Sequence, residues 1–90
     1  MEFLKLNNYW TYQLPEWDNY EKKIIEKELE KVTELTDIVY TMIPEADVWN
    51  IEYDGCMFVL INDLIYGCEI RTENKEDIPC LETLIRRLPL

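Results

Sequence analysis

The side chains here that could do chemistry are almost all carboxylates. The 90-residue chain has 19 Asp and Glu, and no histidine. Without imidazole it lacks the commonest general base, the commonest metal ligand and every triad built on histidine. Cys56, Cys68 and Cys80 have no imidazole to activate them and no CxxC spacing. Two glycines, Gly55 and Gly67, are too few for a phosphate-cradling loop, and no dinucleotide fingerprint or HExxH is present. Asp54-Gly55 does not extend into an EF-hand, because the alternating acidic ligands are missing. Paired carboxylates can serve as acid and base, as in glycosidases. Glu52, Asp54, Asp63 and Glu69, however, fall on short strands and turns with no evident cleft. The chain therefore reads as a non-enzyme with no cofactor and no metal.

What the carboxylates can do is attract cations. The formal net charge is −10. From Val32 to Ile70 there are eight carboxylates (Glu34, Asp37, Glu45, Asp47, Glu52, Asp54, Asp63 and Glu69) and not one Lys or Arg. Such a map projects a one-signed field that bears on association more than on fold. Nucleic acid and anionic membrane are poor direct partners, since both are bound through Lys and Arg. A basic protein is the fitting partner, although acidity also keeps a small protein soluble. The candidate partner-binding residues are Asp47, Glu52, Asp54, Asp63 and Glu69. Asp54 and Asp63 sit in turns at opposite ends of one strand, so no compact patch holds both.

The length predicts a single domain spanning residues 1–90. Its apolar fraction of 48% is enough for a packed core. An odd number of cysteines, and a start (Met1-Glu-Phe-Leu-Lys) without basic or apolar signal regions, predict a cytoplasmic protein with reduced thiols. The longest apolar run, Cys56–Ile61, is too short to span a bilayer.

The elements that must position these groups follow from periodicity. Trp10, Tyr12 and Leu14 alternate with polar residues, giving a strand-like aromatic lead that packs on the domain. Asp18 and Glu21 have capping-box spacing. Ile25, Leu29, Val32, Leu35, Val39 and Met42 recur at helical spacing, so a long helix is expected from about residue 19 to 43, stopped by Pro44. Lys22–Glu26 and Lys27–Glu30 then lie on its solvated face. Strands are expected over 48–53, 56–61 and 64–72, and a short helix after Asp77 with Pro79 in its first turn. The expected fold is α+β: long helix, three-stranded antiparallel meander and short C-terminal helix, with the helices on one face of the sheet.

Asp54-Gly55 is a two-residue hairpin signal that pairs Tyr53 with Cys56, Ile51 with Phe58 and Trp49 with Leu60. Those residues share a face, joined by Leu64, Tyr66, Cys68 and Ile70 if the next loop has odd length. Cys56 would then lie opposite Cys68. The other face carries Asn50, Glu52, Met57, Val59, Ile61, Ile65, Gly67, Glu69 and Arg71. Its apolar centre with a polar rim has the make-up of an interface, unless the aromatic lead covers it. Leu35 and Phe58 are expected in the core.

A short, His-free, strongly acidic, aromatic-rich α+β chain resembles in type the small immunity proteins encoded beside bacterial polymorphic or contact-dependent toxins. The resemblance spans the whole chain and rests on no motif, so it transfers no functional residue. It implies tight binding of one cognate toxin, such as a nuclease, without catalysis. Two other readings remain. One is a phage anti-defence (anti-CRISPR-like) inhibitor occupying a nucleic-acid groove, and the other is an adaptor module that homodimerises through its sheet.

Overall fold

The structure, a computed structural model, describes residues 1–90. It contains strands β1 (Leu4–Leu6) and β2 (Tyr9–Gln13), helix α1 (Lys22–Glu30), strands β3 (Leu35–Ile43), β4 (Ala46–Tyr53), β5 (Cys56–Asp63) and β6 (Gly67–Thr72), and helix α2 (Ile78–Arg87). Short 3-10 turns at Pro15–Trp17 and Lys75–Asp77 precede the helices. All six strands form one antiparallel sheet in the order β1-β2-β6-β5-β4-β3.

The expected long helix followed by a three-stranded meander does not form. The chain makes a six-stranded sheet with two short helices. α1 stops at Glu30, and Leu35–Ile43 is a strand. Leu35, Val39 and Met42 satisfy the helical period, but Ile38, Tyr40 and Met42 equally satisfy a period of two. Composition decides between the two periods. Val32, Thr33, Thr36, Ile38, Val39, Thr41 and Ile43 are β-branched, which disfavours a helix and suits a pleated strand. Pro44 and Glu45 then form a two-residue turn, with Glu45 at φ 68°. Proline first and positive φ second is the sign pattern of a type II turn. It folds β3 onto β4 with Ile43 opposite Ala46.

The capping box is also absent. Glu21, not Asp18, occupies the N-cap position of α1 and makes no side-chain cap bond. Asp18 instead accepts a hydrogen bond from the backbone N–H of Cys68 at 2.8 Å, tying the start of the crossover to β6. Gly67 makes room for this: a Cβ there would lie 2.5 Å from Asp18 Oδ1, and its φ of +82° is one L-residues rarely adopt.

The Asp54-Gly55 hairpin has the expected register, with Tyr53–Cys56, Ile51–Phe58 and Trp49–Leu60 opposite one another. The next connection has the odd length that puts Cys68 and Ile70 on that same face, but it lies later in the chain than expected. Asp63 pairs with Gly67, so Leu64, Ile65 and Tyr66 are a three-residue loop. They are 85%, 69% and 79% exposed rather than on a strand. Asp63 stabilises that loop by accepting from the N–H groups of Ile65 (2.7 Å) and Tyr66 (3.0 Å). Cys68 consequently faces Asn62, and Cys56 faces Tyr53, so the two cysteines are not opposite each other.

Both helices lie on one face of the sheet. Ile25 and Leu29 of α1, and Leu81, Leu84 and Ile85 of α2, form one core with Trp49, Ile51, Phe58, Leu60, Cys68 and Ile70. Leu14 and Trp17 from the crossover complete it, fully buried. The aromatic lead does not cover the opposite face. It extends the sheet as β1 and β2, and its Trp10 and Tyr12 lie half-buried on the helix side. No helix is long and apolar enough to cross a membrane.

Phe58 has no exposed surface, whereas Leu35 is only half-buried near the start of β3. Phe58→Ala is expected to lower unfolding free energy in urea by about 3–5 kcal/mol. Leu35→Ala should cost less than half of that. Equal losses would show that β3 is packed into the core and not at the sheet edge.

Candidate protein-interaction surface

The pleat sends every second residue away from the helices. Cross-strand rows on that side can be traced through the whole sheet. One runs Leu4, Thr11, Arg71, Val59, Asn50, Val39. The next runs Gln13, Glu69, Ile61, Val48, Thr41, and a third Gly67, Asp63, Ala46, Ile43. Toward the Asp54-Gly55 turn lie Met57, Glu52 and Asp37. No helix covers this face. Val39 (50%), Met57 (52%) and Ile43 (45%) are exposed around half-buried Val48 and Val59. An apolar centre rimmed by polar and charged residues has the make-up of an interface.

The five sequence-derived site residues separate into three places. Glu52 and Glu69 are on the bare face. Spacings of about 4.8 Å between strands and about 3.3 Å per residue put them roughly 16 Å apart, across its apolar centre. Glu52 accepts from the Thr36 hydroxyl at 2.6 Å, and Glu69 from the Gln13 amide at 3.3 Å. Asp47 and Asp63 are at the opposite end from Asp54, Asp47 on the helix side and Asp63 at the margin of the bare face. They line a cleft of about 580 Å³ with Asp18, Glu21, Glu45 and Lys22, beside the Pro44–Glu45 turn. Asp54 stands alone and exposed in its hairpin turn, at φ 52°.

Asp47 has a structural partner. The Tyr40 hydroxyl donates to it, and this bond, with some burial, pushes the Tyr40 phenol up to about 12. Lys22 lies 4.4 Å from the centre of the Tyr40 ring, while Glu26 accepts from the Trp49 indole N–H at 3.2 Å. The indole bond, supported by Lys22, holds the Glu26 carboxyl below its ordinary value. Lys22 and Glu26 thus fasten α1 to the sheet, where their spacing alone predicted a solvated pair. Burial pushes the Cys68 thiol up to about 12, and likewise Cys56, which has Cys80 and Asp77 beside it.

Sequence reasoning placed Arg71 on this face without giving it a role. It is the one cation between Lys31 and Lys75, and it forms no salt bridge. Its guanidinium lies 3.9 Å from the centre of the Tyr9 ring. Beside it, Thr11 is 1% exposed, and neither Thr11 Oγ1 nor Arg71 Nε has a hydrogen-bond partner. Both line a groove of about 450 Å³ with Gln13, Glu69 and Tyr66. The lone cation in a long acidic stretch was the available signal. The orphaned hydroxyl has no sequence signature.

Comparison with protein-family models, curated proteins and solved structures gives no match.

The buried hydroxyl of Thr11 lowers stability, because a buried polar group without a partner costs about 1–3 kcal/mol. Thr11→Val keeps the shape and should raise unfolding free energy by about 1 kcal/mol; a loss would show the hydroxyl to be bonded. For Tyr40, a raised folded pKa favours the neutral phenol. Its contribution is full below about 10, where unfolded tyrosine ionises, and is lost as pH rises toward 12. An ultraviolet titration of the folded protein should show one tyrosine ionising late, and earlier in Asp47→Asn.

Proposed function

We propose that this protein is a small acidic inhibitor that binds a basic protein through the bare face of its sheet, without catalysis, in the cytoplasm. The type of partner that fits best is a bacterial toxin such as a nuclease, which would make the protein its immunity protein. One observation carries the proposal: an entire face of a six-stranded sheet, apolar at its centre and flanked by Asp37, Glu52, Glu69 and Asp63, has no helix over it. Carboxylates around such a centre steer encounter with a cationic surface, and the apolar centre supplies residence time. A nuclease presents its cationic groove to phosphates, and a carboxylate-rimmed face can occupy those positions.

Self-association through the same face is disfavoured by charge, since each copy brings a net −10.

Co-expression with the product of the adjacent upstream gene should rescue growth and give a one-to-one complex that associates more slowly in high salt. In that complex, Glu52→Lys with Glu69→Lys should slow association by about tenfold at low salt while leaving unfolding unchanged. A folded double variant that associates at the original rate would remove this face from consideration.

A further inference from the structure

The two edges of the sheet are unlike. β1 is three residues long and carries Lys5, the usual means of blunting an edge. β3 is nine residues long and has no Lys, Arg, Pro or Gly between Leu35 and Ile43. Its bulge lies at its start, between Leu35 and Asp37, so the rest is regular. Ile38 (39%), Val39 (50%), Met42 (76%) and Ile43 (45%) are all exposed along it.

The backbone of this edge presents a defined pattern. Ile43 and Ala46 flank a two-residue turn and so form a hydrogen-bonded pair. Bonded and non-bonded pairs then alternate along an antiparallel ladder. Val39 and Thr41 bond inward to Asn50 and Val48, leaving the N–H and C=O groups of Ile38, Tyr40 and Met42 pointing outward. Beside Ile38, between β3 and α1, is a hollow of about 230 Å³ lined by Glu26, Leu29, Glu30 and Ile38. Glu26 is held by the Trp49 indole and Lys22, which leaves the Glu30 carboxylate at the rim; with the apolar floor it suits the stem and charged head of a lysine or arginine.

We propose that β3 is a docking edge for an extended, Lys- or Arg-bearing segment of the partner, which adds a seventh strand and places a basic side chain in the hollow beside Ile38. The proposal rests on the partner's being a basic protein, and its occupant follows from charge: β3 carries no Lys or Arg, and Lys22 of α1, which lies against Tyr40, is already paired with Glu26. Backbone pairing supplies affinity, and the hollow supplies selectivity for a cationic side chain.

The test uses a short capped peptide alternating lysine with valine, and a counterpart with glutamate for lysine. Hydrogen exchange followed by NMR should slow at least tenfold at Ile38, Tyr40 and Met42 with the lysine peptide. Val39 and Thr41, already bonded to β4, should not change, and the glutamate peptide should have no effect. Glu30→Lys should weaken the lysine peptide about tenfold. Met42→Pro removes one outward donor at an exposed edge position where proline is tolerated, and should do the same with an unchanged urea midpoint. Binding without slowed exchange at the three amides, or equal binding of both peptides, would overturn the proposal. So would a free protein that sediments as a dimer with those amides already protected, because a second copy would then occupy the edge. The readings are separable: edge protection in a protein that binds no toxin would sink the proposed function and leave the docking edge standing.

Discussion

The arrangement depends on the register that two residues impose. Asp54 and Gly55 both adopt positive φ, 52° and 78°, which a two-residue hairpin of this hand requires. That turn places Trp49, Ile51 and Tyr53 on the same side as Leu60, Phe58 and Cys56. A slip of one residue would turn one strand over against its neighbour, exchanging that strand's side chains between the two faces. With β5 held on the core, Trp49 and Ile51 would face water, and Glu52 and Asn50 would meet the helices. The chain has only enough helix for one face, so the turn also fixes which face stays bare. Core and candidate interface are thus two outcomes of the same pleat.

How legible each part was depends on how local its cause is. The Asp54-Gly55 pairing could be read from four adjacent residues, because positive φ at both turn positions narrows the choice of residue sharply. The helix that ends at Glu30 could not be separated from the strand that follows. Leu35, Val39 and Met42 fit a helical period while Ile38, Tyr40 and Met42 fit a period of two, and the outcome rests on β-branching summed over Val32–Ile43 together with cross-strand pairing to residues not yet reached in the chain. Asp18 shows the same limit. Its spacing to Glu21 matches a helix cap, but its partner is the N–H of Cys68, fifty residues on. Long-range contacts of this kind leave no spacing to detect.

The candidate surface was legible in part for the same reason. Glu52 and Glu69 follow from strand parity, so their face could be read in advance. Parity also put Met57, Val59 and Arg71 there, but Ile65 left the sheet for a loop. Asp63 and Asp47 follow from charge and from their place on the strands and turns, and both turn out to be occupied: one holds the Leu64–Tyr66 loop, the other holds the Tyr40 hydroxyl. Charge content says how many carboxylates a surface has, not which of them are free. The stack of Arg71 on Tyr9 joins two strands that are adjacent only because the N-terminal hairpin pairs with the last strand.

That pairing has a kinetic consequence. Apart from β1, β2 finds its neighbour only in β6, and Gln13 meets Glu69 across 56 positions of sequence. During synthesis the first hairpin therefore emerges long before the strand it must join. The β3–β4 and β4–β5 hairpins can close as they leave the ribosome, whereas Leu14 and Trp17 must wait for β6 before their core site exists. Non-local pairing of this kind slows folding relative to chains with local contacts. A nascent chain that halts before Thr72 would hold a sheet with β6 incomplete and several large aromatic rings unburied. Such a chain is a natural substrate for holding chaperones, so the order of strands sets when in its synthesis this protein can first be safely released.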